Sequence, residues 1–386
     1  MRQEPGMQTL TVEIMAADAL GESEWTLWRQ MVAANPDLTS AYFRPRFTRV
    51  AARVSPGAAV AVLHRGGEIV GFFPFQRRGG SILPLGAPMN DFHGVIARPG
   101  EAPELHGLAR LLNGARLNVG AWVGEARGLV ERDCLMVTLP ESGYEAWYAE
   151  RRETERKYFK DKERARRGLE RDLGPIETRT DQRDTALLDR LIELKRDQYR
   201  RTGRHDIFAC GWTRDLLHAL MDEQEGDFGA SIATLTAGDT VAAMEFSLHA
   251  GTRWHFWFPV YEPAAARCSP GIMLSMDTMR LMGARGYRVF DYGFGGEGYK
   301  KYFCNASQTV REGVIVRPGL GATVSQAAVG VLNAAGGDRG ERLRASVRRR
   351  WSAIEACETD PAARARGVFE AARAALAKAS PARAEA

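Results

Sequence analysis

The sequence predicts an α/β (α+β) protein of two domains, each a mixed, mostly antiparallel twisted sheet flanked by helices, followed by a basic C-terminal extension. The chain has 386 residues, of which 45% are hydrophobic and 26% charged, a globular composition with length for two cores. Short apolar runs alternate with turn residues and with helical stretches. We place the domains at residues 1–148 and 149–320, and the extension, partly disordered, at residues 321–386.

The first domain shows strands separated by tight turns. Between residues 58 and 86, apolar runs are interrupted by two Gly-Gly pairs, a pattern typical of antiparallel hairpins. The first residues contain acids and no long apolar run, so we expect neither a signal peptide nor a membrane span there. No later segment has the length and hydropathy of a span.

The cysteines and the net charge exclude some classes of protein. Five cysteines are widely spaced, without a C-x-x-C pair, which argues against structural zinc and against a disulfide framework. Together with the expected lack of an export signal, free thiols favour the reducing cytoplasm. The net charge of +5 is compatible with polyanionic ligands and also with ordinary solubility.

The second domain opens with a charged stretch that lacks glycine between Tyr144 and Gly168 and predicts one extended helix. A strand and two helices follow. Three strands come next, with the sequences ASIATLTAG, DTVAAMEFSLHAG and TRWHFWFPVYEP, joined by short turns. A helix, a strand, a short helix and a last strand complete a mixed sheet with covering helices.

Residues 254–303 hold the pattern that is most informative about chemistry. Ser269 is placed to cap the helix that follows, Pro270 suits its first turn, and Gly271 lets a ligand approach the backbone closely. Free amides and the positive end of the helix dipole at such a start can bind a pyrophosphate. An ordinary capped helix after a loop explains the same three residues.

Around this helix start, several residues occur in a recognisable order. They are Tyr261, Pro263, Ser269-Pro270-Gly271, Gly286, Phe290-Asp291 and Tyr299-Lys300. This order resembles the core of the GNAT superfamily over roughly residues 150–318, and in particular the branch of the CelD/BcsL-type polysaccharide-biosynthesis proteins and the FemAB-like transferases. The resemblance implies an acyltransferase with an acyl-CoA donor, acetyl-CoA by preference, and no metal. The chain departs from the family by lacking the usual glutamine- or arginine-rich pyrophosphate loop.

The resemblance also places the donor. In GNAT folds two central strands splay apart, and the pantetheine arm of the donor pairs with one of them. Here that strand would end at Phe258 to Val260, and the thioester would lie between it and Asp291. Ser269, Gly271 and Ile272 complete the predicted donor site at the helix start.

Acyl transfer needs a base for the nucleophile, donors for the oxyanion and an acid for the leaving thiolate. Asp291, at a strand end, is the first candidate base, although it could instead cap the glycine-rich loop after it. Glu245, an unusual charge in an apolar run, is the second candidate if burial raises its pKa; an outward-facing position would also explain it. The resemblance implies Tyr299 as the acid, because GNAT enzymes commonly place a tyrosine near the coenzyme sulfur, although Tyr299 could instead pack its helix on the sheet. Tyr302 is expected to pack in this way, and His255 to lie in the core or on a sheet face.

The acceptor is assigned by resemblance. Asp91 and His93 lie in a loop that resembles an acceptor-side loop of the family, although a turn built by Asn and Asp side chains also explains it. Lys300 is a candidate for binding an anionic part of the acceptor, or is a solvated lysine. The first domain has no Ser-Pro-Gly helix start and resembles the degenerate partner domain of FemAB-like proteins. We therefore expect the acceptor in a cleft between the domains.

Two basic segments differ in their acidic content. Residues 151–171 mix arginine and lysine with acids, which predicts a solvated helix and no DNA partner. Arg344 and Arg348 lie one helical turn apart with few acids nearby. Such a guanidinium pair suits a cyclic dinucleotide, although a basic tail at acidic lipid headgroups is the alternative.

The length, central motif and basic extension resemble the holdfast-polysaccharide acetyltransferases of the HfsK type, a group associated with cyclic di-GMP control. The resemblance implies a cytoplasmic enzyme, peripheral at the inner face of the membrane, that acylates a saccharide or lipid-linked sugar of an exopolysaccharide or holdfast precursor. Two alternatives stay open. One is a FemAB-like transferase that uses aminoacyl-tRNA, and the other is a non-catalytic cyclic-dinucleotide effector.

Overall fold

The computed structural model describes residues 9–294, 298–317, 350–360, 362–367 and 369. Within these ranges, thirteen strands form one mixed, mostly antiparallel sheet with helices packed against it, which confirms the predicted fold class. None of the helices in this part of the chain combines the length and hydropathy that crossing a bilayer requires.

Strands and helices alternate in short groups along the chain. The strands are β1 (Leu10–Met15), β2 (Ala58–Arg65), β3 (Glu68–Arg78), β4 (Ser81–Pro84), β5 (Arg116–Trp122), β6 (Val130–Thr138), β7 (Ile176–Gln182), β8 (Gln224–Glu225), β9 (Phe228–Ala237), β10 (Thr240–Ala250), β11 (Arg253–Tyr261), β12 (Val289–Phe294) and β13 (Ala306–Val316). The helices are α1 (Glu22–Ala34), α2 (Pro45–Val54), α3 (Leu105–Leu111), α4 (Tyr144–Thr154), α5 (Arg156–Leu173), α6 (Thr185–Thr202), α7 (Trp212–Met221), α8 (Pro270–Gly283) and α9 (Lys300–Phe303). Residues 350–357 and 362–367 are also helical.

The order of the strands shows that the two predicted domains share one sheet. It runs β1-β2-β3-β4-β5-β13-β6-β12-β11-β10-β9-β7, with β8 paired to β9. We call residues 9–148 the first half and residues 149–317 the second half. Strand β13, of the second half, lies between β5 and β6 of the first half. Strand β6 in turn pairs with β12 of the second half. The sheet is therefore continuous across the predicted boundary near residue 148, and that boundary stays a prediction.

The stretch predicted to form one extended helix forms two, α4 and α5. Between them Glu155 has φ −111° and ψ 40°, outside the helical range. The break lets Trp147 and Phe159 both pack near Phe303, with ring centroids 6.1 and 5.7 Å from the ring of Phe303. Aromatic burial therefore overrides the helical preference of the charged residues, and the single-helix prediction is wrong.

The largest cluster of buried apolar side chains joins both halves of the chain. It contains Trp28 and Phe47 from α1 and α2, and Leu216, Phe246 and Phe258 from α7, β10 and β11. Helix α2 packs directly on α7. This shared core holds β11 against the loop that follows β4 in the first half, and the candidate site lies where they meet.

Candidate active site

Strands β11 and β12 run parallel for three residue pairs and then part. The last pair joins His255 to Asp291. Beyond it β11 continues to Tyr261, and the two strands make no further pair among the described residues. Strand β12 instead meets β6 again at Phe294. We call the opening between β11 and β12 beyond His255 and Asp291 the strand gap.

The part of β11 that borders the strand gap contains Phe258 and Val260. Both side chains are buried in the shared core, where the Phe258 ring lies 5.5 Å from that of Phe208. A ligand in the gap would therefore meet the main chain of these residues and not their side chains. An unpaired strand edge offers N–H and C=O groups to an extended ligand, so the geometry fits the predicted pantetheine position.

Helix α8 follows β11 through a 3₁₀ turn at Pro263–Cys268. Ser269 has φ 54° and ψ 52°, and its side chain makes no capping hydrogen bond. A capping serine normally has an extended backbone, so the predicted cap is wrong. The hydroxyl of Ser269 instead accepts a hydrogen bond from Nζ of Lys162, at 2.9 Å.

The first turn of α8 is open to a ligand at Gly271. A Cβ atom added there would meet nothing within 4 Å. Pro270 has no N–H, so the Gly271 amide is the first of the helix. The amide of Ile272, predicted to bind the donor, donates to the carbonyl of Ser269 at 3.1 Å and is committed to the helix.

Lys162 is a site residue that sequence reasoning missed, because it lies in the charged stretch interpreted as a solvated helix. Its ammonium group lies at the N-terminus of α8, where the helix dipole also favours negative charge. Lys162, Ser269 and the Gly271 amide together could hold a phosphate group. Lys162 and Ser269 are more than one hundred residues apart in the sequence, so no local pattern predicts their contact.

A chain of charged side chains connects the two halves at the base of the strand gap. Nη2 of Arg253 lies 2.7 Å from Oδ2 of Asp291, and Nδ1 of His255 lies 3.1 Å from the same oxygen. Nε2 of His255 lies 3.1 Å from Oδ2 of Asp91, in the first half. Asp291 and His255 are fully buried, whereas the side chain of Asp91 is 32% exposed. The chain of charges thus reaches solvent at Asp91.

The charges in this chain fix one another. Burial alone would raise the pKa of Asp291, but Arg253 and His255 outweigh it and hold that pKa well below its usual range. Burial alone would lower the pKa of His255, but the carboxylates of Asp291 and Asp91 outweigh it and raise that pKa to about 9. At neutral pH Asp291 is therefore ionised and His255 is protonated.

This arrangement argues against Asp291 as the general base. A base must accept a proton near the working pH and be within reach of the nucleophile, whereas Asp291 is buried, ion-paired and weakly basic. Its Oδ1 accepts a hydrogen bond from the amide of Gly293 at 2.7 Å, as the alternative of a loop cap predicts. The first candidate base is thus better described as a positioning residue for His255, whose side chain faces the first half.

Glu245 is also buried, but it has the raised pKa that Asp291 lacks. It is 3% exposed, and burial raises its pKa to about 8. Its neighbours Met244 and Phe246 point into the shared core, so Glu245 points to the opposite, α8-covered face; the outward-facing alternative is wrong. Within the described residues its Oε1 has no hydrogen-bond partner. It pairs in register with Pro259, on the part of β11 that borders the strand gap.

Three candidate residues, Tyr299, Lys300 and Tyr302, lie after β12, at the start of α9 and within it. The Tyr299 ring centroid lies 6.3 Å from that of Tyr292, at the start of α9. Lys300 is buried, and its Nζ donates to the carbonyl of Tyr292 at 2.7 Å, so the solvated alternative is wrong; its binding to an acceptor stays a prediction. Tyr302 stacks on Tyr158 with centroids 4.2 Å apart, which is the packing expected of it.

The acceptor loop of the first half divides into two parts. Asn90 accepts from the amide of Phe92 at 2.8 Å, which is the side-chain-built turn that the alternative predicts. His93 is 4% exposed, accepts from the amide of Gly120 at 3.0 Å, and burial lowers its pKa to about 3. It therefore lies inside the first half and, contrary to expectation, not with Asp91 at the interface.

The structure thus brings Asp91 and Asp291 together on His255, while Glu245 lies on the neighbouring strand β10, opposite Pro259. Arg344 and Arg348, predicted to bind a nucleotide, lie outside the described residues. In the part of the chain that the structure describes, no group of three or more His, Cys, Asp or Glu side chains could hold a metal ion.

The site thus combines parallel central strands that part beside a helix N-terminus with a buried carboxylate of raised pKa. Residues 156–301 match the family model described as "Acetyltransferase (GNAT) domain". The match covers less than half of the chain and supports the conclusion that the protein is an acyltransferase. No curated protein matches the chain.

Three solved structures are similar to most of the chain. The C-terminal domain (DUF2156) of a putative lysylphosphatidylglycerol synthetase from Agrobacterium fabrum is 13% identical, with a TM-score of 0.48, over 81% of this chain and 97% of that chain. A tandem GNAT protein from the clavulanic acid biosynthesis pathway is 12% identical, with a TM-score of 0.45, over 81% and 100%. FemX is 11% identical, with a TM-score of 0.47, over 78% and 96%.

Proposed function

We propose that the protein transfers an acyl group, acetyl by preference, from coenzyme A to an amine or hydroxyl of a sugar in an exopolysaccharide or holdfast precursor. The observation that supports the donor is the strand gap beside the α8 start, inside the region that matches the GNAT domain. GNAT domains use acyl-CoA. The acceptor rests on the resemblance of the sequence to the CelD/BcsL branch and the HfsK type, and a lipid-linked acceptor would place the enzyme at the cytoplasmic face of the membrane.

The donor fits the residues on both sides of the strand gap. The main chain at Phe258 and Val260 would pair with the pantetheine arm, and Lys162 and the Gly271 amide would bind the pyrophosphate. In this arrangement Lys162 takes the place of the missing glutamine- or arginine-rich loop. Acetyl-CoA, when bound, supplies the activated acyl group.

In this proposal Glu245 takes the proton from the acceptor nucleophile, because its raised pKa lets it accept a proton near neutral pH. Tyr299 donates a proton to the leaving thiolate. Asp91, the partly exposed end of the charge chain, binds the acceptor between the two halves. His255 and Asp291 hold the Asp91 carboxylate in place from below.

Binding of acetyl-CoA is expected to raise the melting temperature of the wild-type protein by roughly 5 °C at saturation, since a ligand of the folded state stabilises it. Gly271→Trp should abolish the shift by blocking the open first turn of α8. Gly107→Trp is the matched control, because Gly107 also lies in the first turn of a helix with no atom within 4 Å of an added Cβ. Differential scanning fluorimetry with and without acetyl-CoA measures both variants.

The donor proposal fails if wild-type protein shows neither a thermal shift nor calorimetric heat with acetyl-CoA. Binding of aminoacyl-tRNA under the same conditions would then favour the FemAB-like alternative. A lost shift in both glycine variants would show that the tryptophan, and not its position, is responsible.

We further propose that cyclic di-GMP regulates the enzyme through Arg344 and Arg348. A specific pocket predicts saturable binding that survives moderate salt and is lost in Arg344→Ala and Arg348→Ala, but not in the neighbouring control Arg349→Ala. Diffuse attraction predicts weak binding of any polyanion that fades as salt rises. Titration calorimetry at two salt concentrations separates the two, and equal competition by GTP or heparin would reject the pocket.

A further inference from the structure

Residues 350–357 form a helix that lies against the first half of the chain through a buried carboxylate. Glu355 is 2% exposed, and its Oε1 accepts from the hydroxyl of Ser81 at 2.7 Å and from Arg116. Its Oε2 accepts from the side-chain Nδ2 of Asn118 at 3.0 Å. Because a buried carboxylate is stable only with such partners, these contacts fix where the helix lies.

The same helix also contacts the second half. The indole of Trp212, at the start of α7, donates to the carbonyl of Cys357 at 3.2 Å. On the other side, the Arg78 guanidinium donates to the carbonyl of Ala356 at 3.0 Å. The backbone around Cys357 is thus held between the two halves, next to the residues that precede α7.

Those residues include a second thiol. Cys210 lies two residues before Trp212, and its thiol forms a hydrogen bond with that of Cys357. Both sulfur atoms also approach the carbonyl oxygen of Ile207, at 3.2 Å for Cys210 and 3.8 Å for Cys357. Cys357 is 1% exposed, whereas Cys210 is half-buried. The proposed acyl transfer uses neither thiol.

We propose that Cys210 and Cys357 are a site of disulfide formation, and that a low-molecular-weight disulfide such as oxidised glutathione is the oxidant. The bond would link the helix of residues 350–357 covalently to the segment that precedes α7. The proposal does not depend on the donor or the acceptor of the acyl transfer.

The reaction is two successive exchanges. The Cys210 thiolate attacks one sulfur of the oxidant, forms a mixed disulfide and releases one small thiolate. Cys357 then loses its proton and attacks the Cys210 sulfur, which releases the second small thiolate. Two protein thiols are oxidised and one small disulfide is reduced to two thiols.

The surroundings assign the order of the two steps. Cys210 is the more exposed thiol, and the hydrogen bond from the Cys357 thiol lowers its pKa, which favours its thiolate. That same hydrogen bond, together with burial, raises the pKa of Cys357. Cys210 is therefore the attacking thiol and Cys357 the resolving one.

The test uses the full-length protein incubated with oxidised or reduced glutathione. We expect a Cys210–Cys357 cross-linked peptide in the non-reduced digest by mass spectrometry, and a loss of two of the five titratable thiols. Oxidation should also raise the melting temperature by roughly 5 °C, since the cross-link closes a long loop of the unfolded chain. Amide hydrogen exchange within residues 350–357 should slow at the same time.

Controls come from the other cysteines. Cys210→Ser and Cys357→Ser should both lose the thermal shift, whereas Cys304→Ser, which removes another half-buried thiol, should keep it. If a variant does not fold, peptide mapping of the oxidised wild-type protein alone decides whether the Cys210–Cys357 cross-link forms. A fully alkylatable Cys210 after oxidation, or a cross-link between other cysteines, would overturn the proposal.

Discussion

Glu245→Gln is expected to lower turnover by about two to four orders of magnitude while leaving acetyl-CoA affinity unchanged. Glutamine keeps the shape of the side chain but cannot accept the proton of the nucleophile. The carboxylate of Glu245 is buried beside the strand gap, with an oxygen that has no partner within the described residues. Steady-state kinetics with acetyl-CoA and a sugar amine, together with calorimetry of donor binding, measure the two quantities.

The pKa of Glu245 gives this prediction a pH signature. Folded Glu245 keeps its proton up to about pH 8, whereas the unfolded chain releases it near 4.5. Between these values the unfolded state binds fewer protons, so the contribution of Glu245 to stability decreases as pH rises. Glu245→Gln should therefore gain stability relative to wild type from pH 5 to pH 8, while wild-type turnover should rise through about pH 8.

Tyr299→Phe is the companion variant for the acid. It should also lower turnover strongly, but without the change in the pH dependence of stability. Tyr302→Phe is its control, because the Tyr302 ring is stacked on Tyr158 and phenylalanine preserves that contact.

Near-normal turnover of a folded Glu245→Gln protein would contradict the role of Glu245 as the base. The base would then be another group or a water molecule.

Asp291→Ala is expected to destabilise the protein by about 3–5 kcal/mol, because it leaves Arg253 and His255 as buried charges without their shared carboxylate. Asp161→Ala is the control: Asp161 also pairs with an arginine, Arg164 at 3.0 Å, but on the surface, where less than about 1 kcal/mol is expected. Urea unfolding of each variant against wild type measures the free-energy differences.

The pH dependence of this effect follows from His255. A histidine whose pKa is raised on folding stabilises the protein fully below its ordinary value of 6.5, and the contribution is lost as pH rises through about 9. The difference in unfolding free energy between wild type and Asp291→Ala should therefore narrow as pH rises from about 6.5 to about 9. If Asp291→Ala leaves the free energy of unfolding nearly unchanged but abolishes turnover, Asp291 is the base after all.

Local patterns predicted the strands of the second half well. The three runs interpreted as strands correspond to β9, β10 and β11, and Ser269-Pro270-Gly271 does mark the start of α8. Glu245 could be found because a charge in an apolar strand is conspicuous. These features depend on residues that are close in the sequence, so the sequence alone can reveal them.

Contacts between distant segments left no such pattern. The pairing of His255 with Asp91 joins residues more than one hundred and fifty positions apart, and that of Lys162 with Ser269 joins two helices. Asp291 was a reasonable candidate base until its partners were known, since its pKa depends on Arg253 and His255. The break between α4 and α5 likewise depends on Phe303, which no local preference could reveal.

The position of β13 determines when the sheet can be finished during synthesis. Strands β5 and β6 leave the ribosome long before β13, yet in the folded protein β13 lies between them. Until residue 316 has emerged, both strands have an edge without its native partner. An unpaired edge can bind the wrong strand, of the same chain or of another. The nascent sheet is therefore open to misassembly at its centre until β13, the last strand within the described residues, has been made.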